Sequence, residues 1–275
     1  MQRFFTFFKK HGREIIIEDP RVVHQLTHVL RVKIGEQIVL LDNTGREHMI
    51  KLNEIKKSRL TGQLVSDHPG LPEQPVSLTV YLAMIKKERF EWALEKLTEL
   101  GVTRVVPIIT ERTVIKKKDI PERWQTIIRE SAEQCERTKL MELEEILEFG
   151  EALEKASGEI KYIGTERASV IPGFPPEVDR PLAEARDPVP FVLDTCKQAE
   201  MDPRLRGDDG LGSSRSIDYT ADLFIGPEGG WTEREQKSAL DHGILPVHLA
   251  NTILRSETAA ITLASLALFG RLDHL

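Results

Sequence analysis

The chain has 275 residues, 40% of them hydrophobic and 30% charged, with a formal net charge of −6. Such a composition is globular, leaves room for two domains with a core each, and excludes a disordered, fibrous or collagenous chain. The longest apolar run, AAITLASLALF, is short for a bilayer span and carries Thr and Ser. In the opening MQRFFTFFKK the charges follow a very brief apolar patch, the wrong order and length for a secretory signal, so a cytoplasmic location is expected.

Charge is unevenly spread. Residues 1–75 hold 12 Lys and Arg against 9 Asp and Glu, with five of the eight histidines, on an otherwise acidic chain. A basic module of this kind permits polyanion binding by one face, although a solvated surface commonly shows the same small excess. EQIVLLD, EHMIKLNEI and RLTGQLVSD read as strands, the first two joined by the turn former NTGR, and predict a small β-rich module. HPGLPEQP, residues 68–75, reads as a linker.

After the linker the rhythm changes. VSLTVYLAMI predicts a buried strand; KERFEWALEKLTELG predicts a helix with Phe90, Ala93, Leu94, Leu97 and Leu100 at helical spacing and Gly101 as its stop. VTRVVPII then gives a second buried strand, completing a parallel crossover unit. A Pro-started helix over PERWQTIIRESAEQCERT and a strand over EIKYIGT continue an α/β body. Cys135, on that helix, and Cys196 lie far apart without metal-site spacing, so two free thiols and no metal are expected. Residues 168–220 fit the pattern poorly, and 198–217, crowded with Gly, Ser, Asp and Arg, predict an exposed, mobile insertion. Order returns with DLFI, the segment GPEGGW, and a helix to about His242 that Thr232 and Glu235 open as a capping box. ILPVHLA predicts a strand, NTILRSE a loop, and TAAITLASLALFGRL a helix buried on more than one side.

The stretch DLFIGPEGGW carries the chemistry. A strand, a Gly-rich loop and a helix make the usual cradle for nucleotide-like ligands, because glycine lets backbone groups come close. This loop has neither G-x-G-x-x-G nor the lysine of a phosphate loop, and Glu228 would repel phosphate. An adenosine with a positive centre, such as S-adenosylmethionine, suits it; a plain tight turn is the bland alternative. LANTILRSETAA occupies the next strand-to-helix junction and is expected beside the glycine loop on the same sheet edge. Singly, Ser256 reads as a helix cap, Glu257 as a first-turn charge and Arg255 as a surface residue. Together the two loops make a pocket the more economical reading.

IGPEGGWTEREQ and ILRSETAAITLASL together resemble the RsmE family of small-subunit ribosomal RNA methyltransferases, of the SPOUT superfamily. HVLRVKIGEQIVLLD, EKLTELGV, PIITERT and ESAEQCERT are similar to segments of that family, so the resemblance covers most of the chain; the 168–220 region is longer than it leads one to expect. It implies an α/β protein: an N-terminal PUA-like β-barrel over 1–72 that grips RNA, then a SPOUT domain with a deep trefoil knot over 76–275. It further implies a homodimer, S-adenosylmethionine held in the knot loops, and methyl transfer to N3 of a uridine in 16S ribosomal RNA, with the assembled 30S particle as the expected partner.

That reaction needs the imide proton removed or the resulting anion stabilised, which makes Arg255 and Arg112 candidate cations and Glu228 or Glu257 a candidate base. Ile225, Gly226, Pro227 and Gly230 would form one cofactor wall, and Leu249, Asn251, Ile253, Leu254 and Thr258 the other. Arg21, His28, Arg31 and Lys33 are candidate phosphate contacts, with Lys86, Lys87 and Arg89 extending the track. Gln134 and Arg137 would face substrate or the partner subunit, or simply solvent. Three readings stay open beside this one: an enzyme using a phosphorylated nucleotide, a non-catalytic ribosome-assembly factor, and a SPOUT enzyme acting on a different RNA.

Overall fold

The computed structural model describes residues 1–72, 74–115, 119–165, 219–247 and 252–269. The chain divides into two units, Met1–Glu73 with Gln125–Met141, and Gln74–Trp124 with Glu142–Leu275.

In the first unit six strands form one sheet: β1 (Arg3–Phe5), β2 (Phe8–His11), β3 (Glu14–Ile17), β4 (Gln37–Leu41), β5 (Arg46–Ile55) and β6 (Leu60–Pro69), in the order β1-β4-β5-β6-β3-β2. Only β1 and β4 pair in parallel. Register shifts at Met49/Ile50 and Leu52/Glu54 bend the long β5–β6 pair. β1 and β2 are the two edges, so where the resemblance implies a PUA-like β-barrel the six strands form a half-barrel. Phe4, Ile15, Ile17, Ile38, Leu40 and Ile50 pack on Val22 and Val23 of helix α1 (Pro20–His24) and on Leu26 of the π-helical turn Gln25–Val29. Asp19 caps α1 by accepting from the Arg21 N–H at 2.9 Å, and Pro20 fills the first position, where no N–H is needed. From the second stretch of this unit, Ala132 packs with Phe5, Val39 and Leu41, and Glu133 accepts from the Phe5 N–H at 2.8 Å.

The second unit holds β7 (Val76–Ala83), α2 (Lys87–Leu100), β8 (Arg104–Ile109) and the start of α3 (Glu122–Gln134). β9 (Glu142–Leu143), β10 (Leu147–Glu148), α4 (Phe149–Lys155) and β11 (Ile160–Gly164) follow. β12 (Tyr219–Ile225), α5 (Glu233–Asp241), β13 (Leu245–Val247) and α6 (Ser256–Phe269) complete it. Its sheet is parallel throughout, in the order β10-β8-β7-β12-β11-β13, with β9 also on β8. Parallel strands are covered on both faces, hence the near-continuous apolar runs of β7 and β8. The expected β7–α2–β8 crossover is present; Phe90, Ala93, Leu94 and Leu97 are fully buried, and Gly101 ends α2 at φ 96°.

β12 is inserted between β7 and β11, although both precede it in the chain. Tyr81 of β7 stacks on Phe224 of β12 with ring centres 4.3 Å apart. α6 packs against α2, β7 and β12, burying Ala260, Leu263, Ala264 and Leu268. It begins two residues before the predicted start, and Leu266 and Phe269 stay exposed. The predicted insertion, 198–217, lies outside the described residues. So do Leu249, Asn251 and Cys196.

Candidate functional site

β12, β11 and β13 are adjacent and parallel, so their carboxyl ends come out side by side, where α/β sheets bind ligands. The loops after β12 and β13 line one cleft on the same sheet edge, with β11 running between the two strands and Gly164 at its end paired with Val247. Thr165 donates its N–H to the Val247 carbonyl at 2.8 Å. The missing side chain of Gly164 keeps the gap open, since a Cβ there would stand 3.0 Å from Leu263 Cδ1. The result is a cleft partly open to solvent, with walls from all three strand ends and α6.

The glycine turn forms one wall. Gly230 is left-handed at φ 66° and donates its N–H to the Pro227 carbonyl at 2.9 Å. Gly226 lies under the Trp231 indole, whose Nε1 donates to the Gly164 carbonyl at 2.8 Å, tying the end of β12 to the end of β11. Thr232 and Glu235 form the predicted capping box: Glu235 N–H donates to Thr232 Oγ1 at 3.2 Å, and Thr232 N–H to Glu235 Oε2 at 2.8 Å. The other oxygen of the buried Glu235 accepts from the Glu111 N–H at 2.9 Å, fastening the turn after β8 to α5.

Of the predicted cofactor residues, Ile225, Gly226, Pro227, Gly230 and Leu254 line the cleft. Ile253 is 55% exposed and Thr258 half-buried, and neither lines it. Gly164, Thr165 and Trp231 line it too, beyond the residues the sequence points to; the ending Gly-Thr of EIKYIGT is the local signal for the first two. No described residue lining the cleft is charged.

The charged candidates surround it. Arg112 turns its Nη1 to the carbonyls of Gly229 at 2.8 Å and Trp231 at 3.3 Å, so its guanidinium is engaged with the glycine turn. Arg255 is exposed between the lining residues Leu254 and Ser256. Glu228, exposed on the turn, accepts from Arg89 Nη1 at 3.2 Å. Glu257 is buried, 100° around α6 from Ser256, and its Oε1 lies 3.7 Å from Arg89 Nε. Arg89, expected on a phosphate track, therefore sits between two carboxylates.

Deeper in the sheet, burial raises the Asp222 carboxyl above its ordinary 3.8, opposed by the Gly158 N–H bond at 2.7 Å. Burial first, then the Asp222 charge, pushes the Tyr81 phenol up to about 12. These groups hold β12 to its neighbours and do not line the cleft.

In the first unit His28, Arg31 and Lys33 are exposed on and after the π-turn, His28 stacked on His24 at 4.7 Å and Arg31 at φ 52°. The Arg21 guanidinium donates to the Phe5 carbonyl and lies 3.7 Å from Glu133. Gln134 is exposed and Arg137 half-buried. In the second unit Lys86 and Lys87 are exposed at the start of α2, with Lys87 3.8 Å from Glu91. No helix among the described residues is long and apolar enough to cross a membrane, and no three of their metal-binding side chains cluster.

A parallel sheet whose neighbouring strand ends wall a cleft, with no charged residue among its described lining, defines an α/β protein with a ligand cleft at the usual place. Residues 72–175 and 204–268 match the RNA methyltransferase domain family, and residues 17–65 the RNA methyltransferase PUA domain family. The ribosomal RNA small subunit methyltransferase E of Synechocystis is 32% identical over 86% of this chain and 67% of its own length. That of Rickettsia conorii is 27% identical over 90% of this chain and 87% of its own. The crystal structure of a ribosomal RNA small subunit methyltransferase E from Neisseria gonorrhoeae, bound to S-adenosyl methionine, superposes with a TM-score of 0.74 at 27% identity, covering 96% of this chain and 95% of that one. The chain belongs to this RNA methyltransferase family, that of ribosomal RNA small subunit methyltransferase E.

Proposed function

We propose that the protein is an S-adenosylmethionine-dependent methyltransferase acting on N3 of a uridine in 16S ribosomal RNA. The observation that carries this is the cleft itself, uncharged and glycine-walled at three parallel strand ends, in a chain of this family. The residues fit the cofactor: no charged side chain among the described residues lines the cleft, and backbone groups of Gly226, Pro227 and Gly230 are placed to supply polar contacts. Trp231 and Leu254 give an apolar lining. When bound, S-adenosylmethionine supplies an electrophilic methyl group. Arg112 holds the glycine turn, Glu228 stands on that turn as the proton acceptor, and Arg255 is the cation for a carbonyl oxygen of the base.

Residues 1–72 serve as the RNA-binding module, with His28, Arg31 and Lys33 toward phosphates, and 76–275 as the methyltransferase domain. Insertion of β12 between β7 and β11, and the return from edge strand β13 to α6 packed on β7 and β12, support a deep trefoil knot. Leu266 and Phe269 on α6 and Trp92 on α2, all at least 40% exposed, support a homodimer. The substrate in this reading is the assembled 30S particle, in the cytoplasm.

Incubating the protein with labelled S-adenosylmethionine and undermethylated 30S subunits, then mapping the product, tests the proposal. Methyl-N3-uridine is the expected product; RNA binding without label transfer would leave an assembly factor instead. Calorimetry with S-adenosylhomocysteine and with NAD separates the phosphate-free cofactor from a phosphorylated one.

A further inference from the structure

Three charged residues from three separate elements meet beside the cleft. Arg89, in the first turn of α2, donates Nη1 to Glu228 Oε1 on the glycine turn at 3.2 Å, and its Nε lies 3.7 Å from Glu257 Oε1 at the start of α6. The surroundings of the two carboxylates differ: the Glu228 side chain is 32% exposed, that of Glu257 only 7%. Glu257 Oε2 is fully buried without a hydrogen-bond partner among the described residues. A buried carboxylate needs its counter-charge far more than an exposed one does. Glu257 therefore acts as the fixed anchor of the guanidinium, and Glu228 is the carboxylate that the guanidinium orients. With Oε1 held by Arg89, Oε2 of Glu228 is left to face a donor arriving from solvent. Nucleophile and base sites have this layout, in which the base is oriented by a further group behind it.

We propose that Arg89 is a positioning residue, anchored on Glu257, that aims Glu228 Oε2 at the imide N–H of the substrate base; this rests on the reading of the protein as a uridine N3 methyltransferase. The proton leaves the ring nitrogen for Oε2, and the electron pair it leaves behind would bond the methyl carbon as that carbon's bond to the cofactor's sulfur breaks, the sulfur keeping the pair and departing as the neutral thioether S-adenosylhomocysteine. Glu257 does not line the cleft and acts through Arg89. The proposal places Arg89 in the reaction and removes it from the RNA-phosphate track.

The test uses the full-length protein with 30S subunits and compares Arg89→Ala, Arg89→Lys, Glu257→Ala and Glu228→Gln, with Lys96→Ala on the far part of α2 as control. Arg89→Ala and Glu257→Ala should lower kcat by about 10–100-fold, as misplacement of a reacting group does, with the Kd for S-adenosylhomocysteine within about twofold of wild type. Arg89→Lys should recover part of the loss. Millimolar guanidinium should accelerate Arg89→Ala and leave Glu228→Gln unchanged, an effect that a merely structural arginine would not show. Hydrogen exchange of amides 226–231, read without any turnover, should quicken in Arg89→Ala. If Arg89→Ala folds poorly, the double variant Arg89→Ala/Glu257→Gln removes the stranded buried charge and takes its place. Unchanged kcat, a loss confined to cofactor affinity, absence of guanidinium rescue, or unchanged exchange would each overturn the proposal. A wild-type protein that neither binds S-adenosylhomocysteine nor transfers methyl groups would instead overturn the function proposed above, while the exchange experiment still judges the anchoring.

Discussion

Gly226→Ala should damage both the stability of the second unit and its cofactor affinity. A Cβ at this position would lie 3.0 Å from Trp231 Cε2 and Nε1, so the indole would have to give by a few tenths of an ångström. The ring cannot simply swing aside. It is buried, packs against Phe149 at 5.0 Å, and is pinned by its Nε1 bond to the Gly164 carbonyl. Overpacking a filled site costs about 1–3 kcal/mol, and losing a hydrogen bond about 0.5–1.5 kcal/mol more. A combined loss of about 2–4 kcal/mol corresponds to a fall in Tm of roughly 5–15 °C. Because the same indole and Gly226 line the cleft, S-adenosylhomocysteine should bind at least about tenfold more weakly by calorimetry. Gly150→Ala, in α4 with nothing within 4 Å of its Cβ, is the control and should melt no lower than wild type. Should Gly226→Ala melt within about 2 °C of wild type and bind the ligand equally well, the packing argument for the cleft is wrong.

Arg112→Ala removes the donor to the Gly229 and Trp231 carbonyls and should weaken S-adenosylhomocysteine binding several-fold; an unchanged Kd would show that the turn holds its shape without it. Glu235→Ala breaks the capping box and the tie to Glu111, and should lower stability by about 1–3 kcal/mol in denaturant titrations, whereas an exposed cap residue would cost less. Asp222 binds its proton more tightly folded than unfolded, because burial raises its carboxyl above 3.8. Its penalty is absent below 3.8 and grows as pH rises through the folded value, so wild type should gain Tm relative to Asp222→Asn as pH falls toward 3.8; parallel curves would refute the assignment. Leu266→Glu combined with Phe269→Glu should convert a dimer to monomers in light scattering, and a wild-type monomer would end the proposal for this face.

Much of the second unit is legible in the sequence because its signals are local. The apolar spacing of Phe90, Ala93, Leu94 and Leu97 and the stop at Gly101 define α2 within a residue or so, and Thr232 with Glu235 fixes the start of α5. The order of strands is not local. Nothing in DLFI or EIKYIGT says that β11 lies between β12 and β13, because register and neighbour choice depend on contacts between distant segments. For the same reason nothing local places Gly164 at the cleft, and Arg89 reads with its basic neighbours although the carboxylates that hold it are distant in sequence. The first unit shows the opposite limit. β4 is a continuous apolar run and β5 alternates from Ile50 to Asn53, whereas β1, β2 and β3 are only three or four residues long, too short for a period of two to stand out.

The place of β12 has a consequence for biosynthesis. β7 is finished at Ala83, yet the strand that shields its open side begins at Tyr219, 136 positions later. At a translation rate of about 5–20 residues per second the nascent chain carries that raw hydrogen-bonding edge for roughly 7–27 s. β11 waits as well for its partner. The middle of the sheet is therefore laid after both of its flanks, and the cleft at its strand ends cannot take shape on the ribosome until β12, then β13 and α6, have followed.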